Sequence, residues 1–505
     1  MNFSSEIDKL LQSRLDTYIK DKSVLVSLFG EENRRSEEYN GRQLLELIQN
    51  AEDEVSEPGK GDVYIELTSN RLIVANHGNP FTLKGIQSLM TPNVSPKLKQ
   101  KNKIGVKGLG FRSILTWANS IKIISKDIAV QFSSEIAVSK LKELYEKHPD
   151  LEAFVKDTTD EPFPISTLSV PQWLTIKEDE YKEFDTYIII DFDKVQIEKD
   201  IQRQIDSLGP EVMLFLSNLT GIQINSPKTK KKIVRANKPE DKTQKIITYN
   251  EEGAEISSKE WTVYSKNGNL PEYLRIGDHK NKFEFELKIA VAPNLDDNIN
   301  KLFSYFKTEV QFPFPALIHG TFDLSGDRNQ LILNNVNRFL LSSLAELMVN
   351  TALELTNKDI SWNPIKLVAL NKESNDRLTE LGFNEALKKE ILSKPLFPIN
   401  EMRYAKYSEK PKWYDCKIAE VLPYDKFKIF GNLQIPTNDY RIKKLLTEFG
   451  ENKYTSRTII DEIDKINSKL SIVERAELMV FCNRNYSELL KVQLSDMPYL
   501  ILDQH

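Results

Sequence analysis

Three glycines, Gly105, Gly108 and Gly110, punctuate the run IGVKGLGFRS just before a stretch of helical character. Backbone without side chains lets amide N–H groups close on an anion, and a helix N-terminus favours negative charge, so the segment is suited to hold phosphate. The same glycines would also serve a tight packing turn. The pattern is not a dinucleotide fingerprint, because a lysine-rich loop rather than a strand precedes it, and not a P-loop, because no GKS or GKT follows. A second constellation lies upstream in ELIQNAED, where Glu46, Asn50 and Asp53 place an acid, an amide and a second acid at i, i+4 and i+7. At about 100° per residue these side chains share one narrow stripe of a helix, whereas Leu44, Leu47, Ile48, Ala51 and Val55 fill the opposite half. Standing alone, such a stripe equally describes a face turned to water.

The elements around them follow from periodicity. Ser4 to Lys20 is helical, and SLFGEENRRSEEYNGR leads into the helix of the polar stripe, with Asn40-Gly41 at its start. The alternation in DVYIELTSNRLIVANHGNPFT predicts a hairpin turning at Asn70. TPNVSPKLKQKNK is a polar loop, GFRSILTWA a helix, IKIISKDIAVQFS two strands, Val138 to Lys147 a helix, and DTYIIIDFD a strand buried on both faces. Beyond it, KDIQRQIDSLGPEVMLFLSNLTGIQIN reads as two helical segments parted by Gly209-Pro210. Strands such as WTVYSK and FEFELKIAVAP, a helix near Leu302 and a long helix after FPFPALIHGTFDLSGDRNQL follow. These elements divide into 1–195, 196–355 and a less legible mixed α/β region, 356–505, whose apolar ending MPYLILDQH suggests that the chain is part of something longer.

At 505 residues the chain exceeds one ordinary core, which agrees with several domains, and 40% hydrophobic with 28% charged residues is a globular balance. A net charge of −5 argues against a protein that coats nucleic acid. Cys416 and Cys482 are far apart and lack CxxC spacing, so neither a disulfide framework nor a zinc site is expected. The charged N-terminus has no signal-peptide core and no later run approaches a membrane span; a cytoplasmic location, without membrane partners, is the expectation.

Order joins the two constellations. A helix with Glu46, Asn50 and Asp53, then a hairpin with Gly78 near its end, then a loop and GVKGLGF, resembles the N-box, G1-box and G2-box order of the GHKL ATPases. That family includes gyrase, the large heat-shock chaperones, sensor histidine kinases and MutL mismatch-repair proteins. The likeness is specific over about 35–135 and looser to about 345, and ELIQNAED, NHGNPFT and IGVKGLGFRS look most similar to the sacsin-type branch and its large bacterial relatives. It implies an α+β fold: a GHKL α/β sandwich with a mixed sheet, then a transducer-like α/β middle domain and a small mixed C-terminal region.

The resemblance also implies roles and cofactors, ATP and Mg²⁺. Asn50 would ligate Mg²⁺, Glu46 would orient and deprotonate the attacking water, and Asp53 would sit toward the nucleoside. Gly105, Lys107, Gly108, Leu109, Gly110, Phe111 and Arg112 would surround the phosphates, and Thr91 to Lys103 would form the lid. Where most members carry a DxGxG run, this chain has Asn76, Gly78 and Pro80. An amide at Asn76 can still exchange hydrogen bonds with adenine, although Pro80 implies a differently shaped wall. LSGDRNQL is similar to the segment of the heat-shock chaperones that reaches the γ-phosphate, which would make Arg328 catalytic, with Gln330 a weaker companion.

The expected activity is therefore slow ATP hydrolysis driving a conformational switch of chaperone-like or anti-phage defence type, acting on an unnamed client or effector. Nucleotide-dependent closure would bring two copies together as a homodimer. The alternatives are a MutL- or gyrase-type clamp on nucleic acid, the less favoured partner, and a nucleotide-binding scaffold without turnover. The basic run PKTKKKIVRANK lacks interleaved aromatics and reads as a solvated hairpin face.

Overall fold

Residues 3–38, 41–91, 110–177, 180–238, 240–277, 284–293, 295, 301–325, 330–357, 359–370, 376–399, 401–414, 434–435, 437, 439–449, 453–454, 470–478, 480 and 484 are described by the computed structural model of the chain. In the first region the order is α1 (Phe3–Lys20), α2 (Lys22–Glu38), α3 (Gln43–Glu54), β1 (Gly61–Leu67), β2 (Arg71–Asn76) and α4 (Leu83–Leu89). A 3-10 turn (Gly110–Thr116) precedes β3 (Ser120–Ser125), β4 (Ile128–Ser133), α5 (Ser134–Lys147), α6 (Pro149–Thr158), β5 (Gln172–Trp173), β6 (Thr186–Asp191) and α7 (Val195–Asp206). The second region supplies β7 (Leu219–Asn225), β8 (Lys230–Arg235), β9 (Thr243–Tyr249), β10 (Glu255–Asn269), β11 (Glu284–Val291), β12 (Lys301–Ser304), β13 (Phe306–Gln311), β14 (Leu317–Gly320) and α8 (Asn335–Leu355).

The architecture is α+β around one large mixed sheet, ordered β13-β12-β14-β11-β10-β9-β8-β7-β1-β2-β6-β3-β4-β5. In β1 every second residue is buried, which sends Val63, Ile65 and Leu67 to one face, and the Thr68 N–H to Arg71 C=O bond of 2.8 Å closes the predicted hairpin onto β2. The other edge of β1 pairs in parallel with β7, Val63 opposite Ile222 and Ile65 opposite Ile224, so the second region continues the sheet of the first. Leu44, Leu47, Ile48 and Ala51 of α3 and Ile197, Ile201 and Ile205 of α7 pack on the face made by Val63, Ile65, Leu72, Val74, Ile188 and Ile190. Each such aliphatic side chain removed from water contributes roughly 1.5–3 kcal/mol.

Helices α1, α2, α5 and α6 share a separate apolar cluster through Tyr18, Leu25, Leu141, Leu144, Leu151 and Val155. Buried Glu32 of α2 accepts hydrogen bonds from Ser166 Oγ at 2.6 Å, Thr167 N–H at 2.6 Å and Leu168 N–H at 3.2 Å; burial pushes its carboxyl pKa up, and those donors oppose the rise. A further cluster joins Leu287, Ile289 and Ile318 of the sheet to Leu340, Leu344 and Met348 of α8. It continues into Trp362, Ile365, Phe383 and Leu445, so described residues of 356–449 share their core with the second region. Among the described residues no helix is long and apolar enough to cross a membrane.

Four segments differ from their sequence patterns. The lead-in to α3 is mostly helix α2, held by packing and by Glu32 rather than by a clean amphipathic repeat. GFRSILT is a 3-10 turn instead of an α-helix, closing with Trp117 N–H on Ile114 C=O at 3.0 Å. LTGIQIN is strand β7, hydrogen-bonded between β1 and β8, with β-branched Ile222 and Ile224 on the buried face and Gln223 on the other. The expected helix near Leu302 is strand β12: Leu302 enters one core cluster and its neighbour Phe303 the other, the period of two that only a strand provides.

Candidate functional site

Helix α3 is enclosed on both sides. Its apolar half lies in the core, and its polar stripe also faces inward: Glu46 is 6% exposed, Asp53 4%, and Asn50 between them is partly buried. A stripe turned to bulk water is thereby excluded. The helix is fixed at its start by α7, where Gln204 Oε1 accepts the Leu44 N–H at 3.0 Å, satisfying a first-turn donor, and Gln204 Nε2 donates to Gln43 Oε1 at 2.7 Å. Gln43 Nε2 also donates to Thr116 Oγ1 of the 3-10 turn at 2.9 Å, which sets that turn beside the first turn of α3. Arg42, absent from the sequence reading, places Nη1 3.9 Å from Glu46 Oε1.

At the other end, α3 meets the loop after β2. Asn79 N–H donates to Glu54 C=O at 2.6 Å, and Gly78 N–H donates to Asp185 Oδ2 at 3.0 Å. Gly78 has φ +153°, and a Cβ there would lie 2.3 Å from the Glu54 carbonyl oxygen. Close approach of backbone to α3 thus accounts for this glycine.

The sheet offers a polar floor to the same side. Along β2, Leu72 and Val74 face the core under α3, and Asn76 is the next residue of that parity; Ile190 and Ile188 of β6 lead in the same way to Thr186, and Ile121 and Ile123 of β3 to Ser125. Asn76 pairs with Thr186 across the β2–β6 ladder. Ser125 Oγ lies 2.8 Å from Thr186 Oγ1, accepts the Phe81 N–H at 2.9 Å and donates to the Asp185 carbonyl at 3.1 Å. All three residues are buried. The two hydroxyls are thus engaged within the fold, while the Asn76 amide, whose Nδ2 donates to the His77 carbonyl at 3.2 Å, carries both a donor and an acceptor. Thr186 and Ser125 were missed in the sequence; their signal is that two apolar strands, TYIII and SIKIIS, each end on a hydroxyl at the core-facing parity. His77 has the opposite parity, with Nδ1 3.5 Å from Asp62 Oδ1 and its ring edge-on to Phe184 at 4.8 Å, off the floor.

The remaining expected residues divide. Phe111 is buried in the core cluster, and Arg112, 1% exposed, donates from Nη2 to the Leu89 carbonyl at 2.7 Å, so both side chains have packing partners. Gly110 opens the 3-10 turn. Gly105, Lys107, Gly108, Leu109, most of the expected lid and Arg328 lie outside the described residues. Beside Arg328, Ser325 N–H bonds the Gln330 carbonyl at 2.9 Å, and Gln330 Oε1 accepts from Arg377 at 2.8 Å, tying that segment to the third region.

No group of three or more His, Cys, Asp or Glu suited to a metal occurs among the described residues. The donor set at α3 fits a different kind of site. The amide oxygen of Asn50 is a neutral hard donor of the kind Mg²⁺ accepts beside waters and phosphate oxygens, and the Glu46 carboxylate lies one turn away on the same helix. A hollow of about 440 Å³ beside Gly41, Trp117 and Gln204 lies at the N-terminal end of α3, away from Asn76.

No protein-family model and no curated protein matches the chain. Among solved structures, the crystal structure of the N-terminal domain of a DNA repair protein is similar at 10% identity, covering 63% of this chain and 94% of that one with a TM-score of 0.31. So loose a likeness carries no weight for fold or function.

Proposed function

We propose that the chain binds and hydrolyses ATP with Mg²⁺ as a conformational switch of the GHKL type. The observation that carries this reading is the inward-facing stripe of α3, with Glu46 and Asn50 one turn apart, running from the 3-10 turn at Thr116 toward the polar floor of Asn76, Thr186 and Ser125. That row of polar groups would suit a ligand with a heteroaromatic head and an anionic tail. In it Asn76 accepts from the adenine amino group and donates to a ring nitrogen, and Thr186 and Ser125 fill in around the base edge. Asp53 stands at the nucleoside end of the stripe.

Asn50 would hold Mg²⁺ through its amide oxygen. Mg²⁺, when bound with the nucleotide, neutralises phosphate charge and fixes the triphosphate. Glu46 hydrogen-bonds a water, orients it and takes its proton as the water oxygen bonds the terminal phosphorus and the P–O bond to the leaving ADP breaks; the Arg42 guanidinium lies 3.9 Å from the carboxylate. Backbone amides at the 3-10 turn are the expected phosphate contacts, and Arg328 would reach in from the second region.

Phosphate release measured with Mg²⁺ and ATP tests the assignment of Glu46. Glu46→Ala is expected to lose about 100-fold or more in turnover while its ATP affinity stays within a few-fold of wild type, the size of effect a general base supplies. Equal turnover in the two proteins would remove the proposed role.

A further inference from the structure

Glu52 of α3 lies on the side of the helix away from the polar stripe. Glu52, 2% exposed, points away from Asn50 and Glu46 and grips the start of β7: Oε1 accepts the Asn218 N–H at 2.8 Å and Oε2 the Leu219 N–H at 2.9 Å. Asn218 returns the grip, donating from Nδ2 to the Glu52 carbonyl at 3.1 Å, while its own carbonyl accepts the N–H groups of Gly59 at 2.9 Å and Gly61 at 3.2 Å. The last turn of α3 and the chain just after it are therefore clipped to one dipeptide of the second region.

That dipeptide ends a segment held equally firmly from the far side. Buried Arg235 of β8 donates to the carbonyls of Met213 and Leu216, and to that of Ser217 at 3.3 Å. Lys288 of β11 donates to Ser217 Oγ at 3.3 Å, and Phe215 stacks on His319 of β14 with centroids 5.0 Å apart and an angle of 18°. A buried carboxylate on one side and a buried guanidinium on the other, with five backbone groups between them, leave residues 213–219 little freedom to shift without moving α3. Taking either side chain away would leave the backbone groups it holds without their partners in the interior, which makes each grip costly to break.

We infer that Glu52 is a positioning residue that couples the orientation of α3, and so of Glu46 and Asn50, to residues 213–219, making hydrolysis answer to the placement of β8, β11 and β14. The inference rests on the proposed ATPase reading and adds to it the physical link by which the second region acts on the chemistry. It requires no contact between Glu52 and nucleotide.

Glu52→Gln keeps the side-chain shape but replaces one acceptor oxygen with an amide that faces an N–H. The experiment compares this variant with wild type in steady-state ATP turnover, and in amide hydrogen exchange at Asn218 and Leu219 with and without Mg²⁺ and a non-hydrolysable ATP analogue. Expected are a KM within about 3-fold of wild type, a kcat lower by about 10-fold, and loss in the variant of a nucleotide-induced change in exchange that wild type shows. A variant with wild-type kcat whose Asn218 and Leu219 amides still respond to nucleotide overturns the coupling and leaves the ATPase reading intact. A wild type that neither binds the analogue nor releases phosphate overturns the ATPase reading, and the coupling with it. Should Glu52→Gln fail to fold, Asn218→Ala removes only the 3.1 Å bond to the Glu52 carbonyl. It should then lower kcat about 2–3-fold at constant KM; unchanged kcat there counts against the coupling.

Discussion

A carboxylate proposed to take a proton from water has to be held in place and shielded from bulk solvent, and Glu46 is buried with the Arg42 guanidinium 3.9 Å from it. Glu46 and Asn50 stand out in the sequence as candidates through redundancy: their spacing marks one helix face, the apolar residues mark the other, and a glycine run follows. Thr186 and Ser125 lack such redundancy. Each is a lone hydroxyl at a strand end, and only the β2–β6–β3 ladder reveals that they join Asn76. Gly78 shows the converse, a residue picked out for nucleotide binding whose backbone explains itself by the approach of Glu54. Gly78→Ala should cost about 2 kcal/mol or more of stability, read in a denaturant melt, because the added methyl meets a carbonyl and φ is one that L-residues avoid. A melt unchanged from wild type would mean that the loop after β2 does not lie against α3.

Among elements, the strongly periodic ones form where the sequence places them, and the exceptions share a cause. Helix α2 and the 3-10 turn at Gly110 are set by neighbours rather than by their own pattern, and β7 and β12 are short apolar runs whose period is hidden until both faces are buried. The β11–β14 ladder carries a pH signal of its own. Burial alone would raise the pKa of Glu286, but the hydrogen bond from His319, 3.4 Å away, and the Lys288 ammonium at 2.9 Å outweigh it and bring the carboxyl down to about 2. A depressed acid adds stability that is complete above its unfolded value and is lost as the pH falls toward the folded one, here from about 4.5 to about 2. Burial holds His319 below its ordinary value, giving a loss of the same sign that begins at higher pH. The difference between wild type and Glu286→Gln in unfolding free energy should therefore shrink by roughly 2–3 kcal/mol on acidification through that window. A constant difference would show that Glu286 does not carry the linkage.

At the scale of the whole molecule, the decisive feature is the parallel pairing of β1 with β7, which makes one sheet of two regions that the sequence separates at 195. Charge balance and periodicity along the chain could not foresee it, since pairing between distant strands leaves no local mark. A fragment ending at 195 would bare the β1 edge, lose the Ile197, Ile201 and Ile205 face of α7, and leave buried Glu52 without the amides of Asn218 and Leu219. Such a fragment should melt below the full chain and associate, as sedimentation would show; a monomer of full stability would contradict the shared core. The account as a whole is tested most directly by calorimetric titration of ATP with Mg²⁺ into wild type and Asn50→Ala. It predicts saturable binding to wild type that weakens when the metal is removed, and binding to the variant at least about 10-fold weaker in the presence of Mg²⁺. Absence of adenine-nucleotide binding in wild type, or identical metal-dependent affinity in both proteins, would contradict it.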